Sequence, residues 1–184
     1  MSPDALLLKR AQRGDTAAVD ELLRAHYDSV RAVCHRIVLN RSDAEDATQN
    51  ALINIVRALP RFDGRSAFST WIHRIAVNAA LDEIRRIRRR PVPVHDDRTV
   101  DSVSADGTSA VDAQLDVGAA LARLDEDHRV ALVLRHVADL EYEEIAVILD
   151  VPVGTVRSRL SRARSRLAEV MGNPDAASQR QTDG

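Results

Sequence analysis

Between Tyr142 and Val170 the chain reads YEEIAVILDVPVGTVRSRLSRARSRLAEV, and this stretch decides the fold. Glu143 to Leu149 has the apolar recurrence of a short helix, Asp150-Val151-Pro152-Val153-Gly154 is turn material, and Thr155 is a suitable cap for a second helix. The layout predicted is a helix-turn-helix. At about 100° per residue, Val156, Leu160, Ala163 and Leu167 gather on one side of the second helix and must face a core. The opposite side then carries Arg157, Ser158, Ser161, Arg162 and Ser165. Small hydroxyls between arginines let a helix enter a major groove while guanidiniums reach guanine edges or phosphates. A helix that only needs solubility interleaves charges of both signs. Here, between 151 and 170, five arginines meet one acid, Glu169.

Working outward, helical periodicity continues over nearly the whole chain, and strict alternation never lasts more than a few residues. The C-terminal half predicts helices near 113–123, 126–137, 142–149 and 155–171. In the N-terminal half, Asp15 caps a helix whose expected buried stripe is Val19, Leu22, Leu23, Tyr27, Val30, Cys34 and Ile37. Ser42 followed by Glu45 has the spacing of a capping box. It opens a helix that buries Ala44, Ala47, Ala51, Leu52, Ile55 and Leu59 and ends at Pro60. A further helix from about 69 to 90 stops at Pro91. The fold class expected is all-α, with two small helical domains joined by a flexible acidic linker.

The charge distribution marks that linker. The 184 residues carry 26 basic and 28 acidic side chains, a formal net charge of −2. Residues 1–90 hold 16 basic and 11 acidic groups, whereas 91–120 hold one and six. From Pro91 to about Ala110 no periodicity of either kind persists. An apolar content of 45% suffices for packed cores. No apolar run reaches the ~18 residues of a membrane span, and the first residues lack a secretory layout, so a cytoplasmic protein is expected. The single cysteine, Cys34, excludes an internal disulfide and a thiolate metal cage. His26, Cys34 and His35 do not align as ligands on one helix. No phosphate-binding glycine loop, Gly-x-Ser-x-Gly or His-Glu-x-x-His occurs. Neither an enzyme nor a cofactor or metal is expected.

Two other stretches carry candidate chemistry. Phe62, Phe68 and Trp71 stand among Arg61, Arg65, Arg74, Arg85, Arg86 and Arg88 to Arg90. Aromatic faces beside cations suit unpaired bases and their backbone, although aromatics this scarce also serve as core anchors. The polar side of the 43–59 helix presents Asp43, Asp46, Gln49, Asn50, Asn54 and Arg57 around apolar Ile53, a pattern compatible with a protein interface.

On these residues the sequence resembles the extracytoplasmic-function group of bacterial RNA polymerase sigma factors, within the sigma-70 family. Asp43-Ala44-Glu45-Asp46-Ala47-Thr48-Gln49 and the run from Phe62 to Asn78 resemble the family's second domain; Glu143 to Ala146 and Pro152 to Arg164 resemble its fourth. The resemblance implies a domain 2 at 1–90, the linker at 91–112, a domain 4 at 113–172 and a disordered tail at 173–184. It implies that Asp43, Asp46, Gln49, Asn50 and Ile53 face the clamp helices of the largest subunit of core RNA polymerase, while the C-terminal domain binds the flap of the second-largest. Ala58, Phe62, His73, Arg74, Asn78 and Arg85 would engage the promoter −10 element, several of them around a base flipped from the non-template strand. Thr155, Arg157, Ser158, Ser161 and Arg162 would read the −35 element. An anti-sigma factor is the further partner implied. Two departures stand out: Asp139 and Glu141 replace the usual Gly and Ser or Thr before the first helix of the helix-turn-helix, and His73 stands where an aromatic such as tyrosine occurs. The alternative function is an autonomous helix-turn-helix regulator, which needs a sensor or dimer interface; a third is a helical interaction module without sequence preference.

Overall fold

The computed structural model describes residues 3–90 and 117–170, and its regular elements there are all helical. The chain divides into two compact units, Met1–Arg89 and Arg90–Gly184. The linker reading of 91–112 and the tail reading of 173–184 lie outside the described residues. No described helix is long and apolar enough to cross a membrane.

The first unit consists of α1 (Pro3–Gln12), α2 (Thr16–Val38), α3 (Arg41–Ala58), a 3-10 turn (Leu59–Arg61) and α4 (Phe68–Arg89). Asp15 caps α2 as expected, its carboxylate accepting the Ala18 N–H at 3.1 Å. Leu22, Val30, Cys34 and Ile37 are buried as the stripe requires, with Val33 beside them. Tyr27 departs from the expectation: it is 40% exposed, although Cys34, two turns on and nearly in line with it, is fully buried. The cap of α3 also departs. Asn40, two residues before Ser42, is the N-cap and accepts the Asp43 N–H at 3.1 Å. Glu45 is therefore free of capping and instead bonds Arg31 and His35 of α2, at 3.0 and 3.1 Å.

Small side chains set how closely α3 and α4 pack. Ala44, Ala47 and Ala51 of α3 and Ala76, Ala79 and Ala80 of α4 are all buried, so the helices meet with little side-chain volume between them. Pro60 ends α3, as its missing N–H and fixed φ demand, by diverting the chain into the 3-10 turn. Cys34 is fully buried, and burial raises its thiol pKa to about 11, so it is an inert core residue.

In the second unit a short helical stretch at 117–122 precedes α5 (Glu126–His136), α6 (Tyr142–Leu149) and α7 (Val153–Val170). Leu121, Leu124, Val130, Leu134, Leu140, Ile145, Val156, Leu160 and Ala163 make the core. Arg129 points inward and donates to the carbonyls of Leu121 and Leu124, joining the Leu124 N–H on the first of them and tying the turn after the 117–122 stretch to α5. The turn between α6 and α7 depends on Asp150, whose φ of +52° is left-handed. α7 begins at Val153, two residues before the expected start. Thr155 is therefore inside the first turn rather than at the cap, and its N–H donates to the Pro152 carbonyl at 2.8 Å.

Candidate nucleic-acid interface

The helix-turn-helix is held from below by an arginine that sequence reading passed over. Arg135, near the end of α5, donates to the Leu140 carbonyl at 3.1 Å and to Glu141 Oε1 at 3.4 Å, pairs with Asp139 and lies over the Tyr142 ring. Asp139 takes the left-handed conformation, at φ +52°, that a glycine would adopt without strain. Glu141 is the N-cap of α6, and its N–H donates to Glu144 Oε2 at 3.0 Å in a capping box. The two acidic departures from the family pattern thus build the helix start, with Arg135 neutralising them.

On α7, Arg157, Ser158, Ser161 and Arg162 are exposed and Thr155 is half-buried, while Val156, Leu160 and Ala163 are sealed in the core. The arginines divide by what they touch. Arg159 is paired with Asp127 of α5 and Arg166 with Glu169. Arg157, Arg162 and Arg164 make no ion pair among the described residues. At about 100° per residue, Arg157 and Arg164 fall at one edge of the outward face and Arg162 at the other, with the serines between them. The hydroxyls of Ser158 and Ser165 donate back to the carbonyls of Thr155 and Ser161, at 2.9 and 3.1 Å. Their oxygens stay close to the helix, leaving a low floor between two cationic ridges. A polyanion with readable edges fits such a surface.

In the first unit, Arg74, Asn78 and Arg85 are exposed and share one side of α4. Arg85 pairs with Asp82 at 2.9 Å. Ala58 is half-buried at the end of α3. Phe62 and His73 lie elsewhere than an open base pocket requires. Phe62 is 9% exposed, its ring centroid 5.4 Å from Phe68 and 5.1 Å from Trp71. His73 is 4% exposed, with Nε2 at 2.8 Å from the Ser29 hydroxyl of α2. The reason is packing: few aromatics are available, and the structure uses them to close the junction of α2, α3 and α4.

On α3, Asp46, Gln49, Asn50 and Ile53 are exposed on the side away from the core, with Asp43 half-buried at its edge. Ile53 is 46% exposed, and Val56, not singled out by the sequence, adds a second exposed aliphatic nearby. Asp46 is not a free anion. Arg86 of α4 donates to it at 2.9 Å while gripping both oxygens of the buried Glu83 at 2.7 Å. The carboxylates of Asp43, Asp46 and Glu83 come within 4.8 Å of one another, and this guanidinium is the counter-ion of Asp46 and Glu83.

Comparison with known proteins gives these surfaces a family. The model of sigma-70 region 2 matches residues 22–90, and that of sigma-70 region 4 matches residues 114–167. The RNA polymerase sigma-H factor of Pseudomonas aeruginosa is 36% identical over 91% of this chain and 93% of its own. The ECF RNA polymerase sigma-E factor of Escherichia coli is 37% identical, covering 89% and 92%. The ECF factor SigM of Mycobacterium tuberculosis is 37% identical, covering 92% and 85%.

The chain belongs to the sigma-70 family, in its extracytoplasmic-function group.

For this sigma factor the solved structures agree at the level of fold. CnrH, solved with the cytosolic domain of CnrY, superposes with a TM-score of 0.72 at 23% identity, covering 94% of this chain and 99% of that one. The sigma factor RpoE of Bartonella quintana, solved with the anti-sigma factor NepR, gives 0.68 at 24%, covering 84% and 97%.

Proposed function

We propose that this sigma factor binds core RNA polymerase, directs it to specific promoters and assists promoter melting. The observation that carries the reading is the presence in one chain, in order, of both sigma-70 regions, on two units that each expose an arginine-bearing helix face. In this reading α7 enters the major groove of the −35 element: Arg157 and Arg162 reach base edges or phosphates, and Thr155, Ser158 and Ser161 permit close approach. The α3 face of Asp43, Asp46, Gln49, Asn50 and Ile53 meets the clamp helices of the largest subunit, and the second unit meets the flap of the second-largest. Arg74, Asn78 and Arg85 follow the −10 strand. Ala58 and the loop of Phe62 form the wall against which a base is captured, with Phe62, the one aromatic of its cluster carried by a loop, and His73 backing it from the core.

No covalent bond is made. The protein binds an unstacked base more tightly than a paired one, which shifts the promoter from duplex toward the melted state. A net charge of −2 suits a factor that engages DNA when polymerase holds it in place. Acting with polymerase, it works in the bacterial cytoplasm at the nucleoid. The solved complex of RpoE with the anti-sigma factor NepR supports an anti-sigma partner here as well. Transcription from purified components is the test: core polymerase plus this chain should initiate at specific promoters that core alone ignores. Sequence-specific DNA binding by the chain alone, with no promoter-specific initiation, would instead establish the autonomous regulator.

A further inference from the structure

The loop that carries Phe62 is tied to a part of the chain outside the region 2 match. Gln12, the last residue of α1, reaches the 3-10 turn: its Nε2 donates to the Phe62 carbonyl at 2.7 Å and to the Leu59 carbonyl at 3.4 Å. Both partners are carbonyls and only accept, so the chemistry fixes which end of the amide faces them. The reach is held at its source. Arg10 pairs with Asp15 at 2.7 Å, Gly14 makes the left-handed turn between α1 and α2 at φ +89°, and Ala11 is buried. On the far side of Phe62, Asp63, Gly64 and Arg65 are exposed, and Asp63 bonds within the loop, accepting the Arg65 N–H at 3.1 Å and pairing with its guanidinium at 3.0 Å.

We propose that Gln12 is a positioning residue for promoter melting: it fixes the backbone of the Leu59–Phe62 turn and so sets the depth at which Phe62 and the adjoining loop meet a flipped base. The proposal rests on the reading of this loop as the base-capture wall. Without Gln12 the Phe62 carbonyl turns to water, which the exposed Pro60 and Arg61 beside it admit freely, while the Leu59 carbonyl keeps the Phe62 N–H at 3.1 Å, so the fold loses little. The turn, however, loses its link to α1, and the base meets an unfixed wall.

The test assembles holoenzyme from the full chain carrying Gln12→Ala, Gln12→Glu or Phe62→Ala. Binding to a duplex promoter is compared with binding to a fork whose non-template −10 strand is single. Gln12→Glu keeps the shape but presents acceptors to acceptors. Both Gln12 variants should lose about fivefold in fork affinity, the worth of one neutral hydrogen bond, with duplex affinity and the thermal midpoint of the first unit unchanged. Wild-type fork affinity in both Gln12 variants alongside a loss in Phe62→Ala overturns the proposal and leaves the loop reading standing. Equal loss on duplex and fork, or a lowered midpoint, makes Gln12 merely structural and also overturns it. Unchanged fork affinity in all three variants removes the proposal and the loop reading together.

Discussion

Arg159 and Arg162 stand three positions apart on α7 and have opposite tasks. Arg159 is turned inward against Asp127, and Arg162 is exposed without an ion pair among the described residues. Arg162→Ala should weaken −35 binding by about 1–3 kcal/mol in a base-dependent way and leave the melting of the second unit alone. Arg159→Ala should do the reverse, costing under ~1 kcal/mol of stability as a partly exposed pair, with base preference kept. Titration against substituted −35 duplexes, beside thermal melts, separates the two; a uniform loss across all duplexes for Arg162→Ala would make it a phosphate contact only. The exposure of Arg157, Ser158, Ser161 and Arg162 was legible because helical period alone orients them. The burial of Phe62 and His73 was not, since it depends on partners remote in sequence such as Ser29. The same holds for His35. Burial chiefly, aided by Arg31, holds its imidazole below its ordinary 6.5 against the pull of Glu45, while the hydrogen bond from Arg31 chiefly holds Glu45 below 4.5. In both cases the unfolded chain binds protons more readily than the folded one, so stability is lost as pH falls. The thermal midpoint of the first unit should decline on acidification, from about pH 6.5 downward through His35 and further below about pH 4.5 through Glu45. His35→Gln should flatten the upper part of that decline, and a midpoint that rises on acidification would refute the assignment.

At the scale of elements, the start of α3 tests how local chemistry chooses among caps. Asn40 and Ser42 are both good N-cap residues, and the capping-box spacing from Ser42 to Glu45 favoured the later one. The structure uses Asn40 because Glu45 bonds across to α2, which a single sequence does not reveal. Asn40→Ala should therefore destabilise the first unit by about 1 kcal/mol, whereas exposed Ser42→Ala should change it by no more than about 0.5 kcal/mol. Denaturant midpoints decide it; a larger effect at Ser42 would return the cap to the sequence-based position. The body of each helix was easier to read than its ends. Apolar residues at three- and four-residue spacing specify α2, α3, α4 and α7 over many turns. Helix starts rest on one or two groups, and there tertiary bonds such as those of Arg135 at Asp139 and Glu141 decide.

For the whole molecule, the division into two units with separate cores means that damage should stay local. Leu160 is fully buried among the apolar residues of the second unit. Leu160→Asp places a carboxylate there without a partner, a cost of several kcal/mol that a small helical core does not absorb. The second unit should unfold, and −35 recognition should vanish with it. The first unit should keep its melting transition and, through α3, still co-elute with core polymerase, more weakly because one of two linked attachments is gone. Asp46→Arg and Ile53→Asp should give the complementary phenotype. Each changes the exposed face of α3 without entering the core; the first also sets a cation beside Arg86 in place of its partner. Both units should then melt normally while assembly with core polymerase falls by about 2 kcal/mol or more. The pair of outcomes is informative jointly. Loss of folding with core attachment weakened but retained at Leu160, and loss of attachment without loss of folding at Ile53, assigns the primary polymerase contact to the first unit. Loss of the first unit's melting transition in Leu160→Asp would show instead that the two cores fold as one, and normal co-elution of both α3 variants would move the polymerase contact off this face.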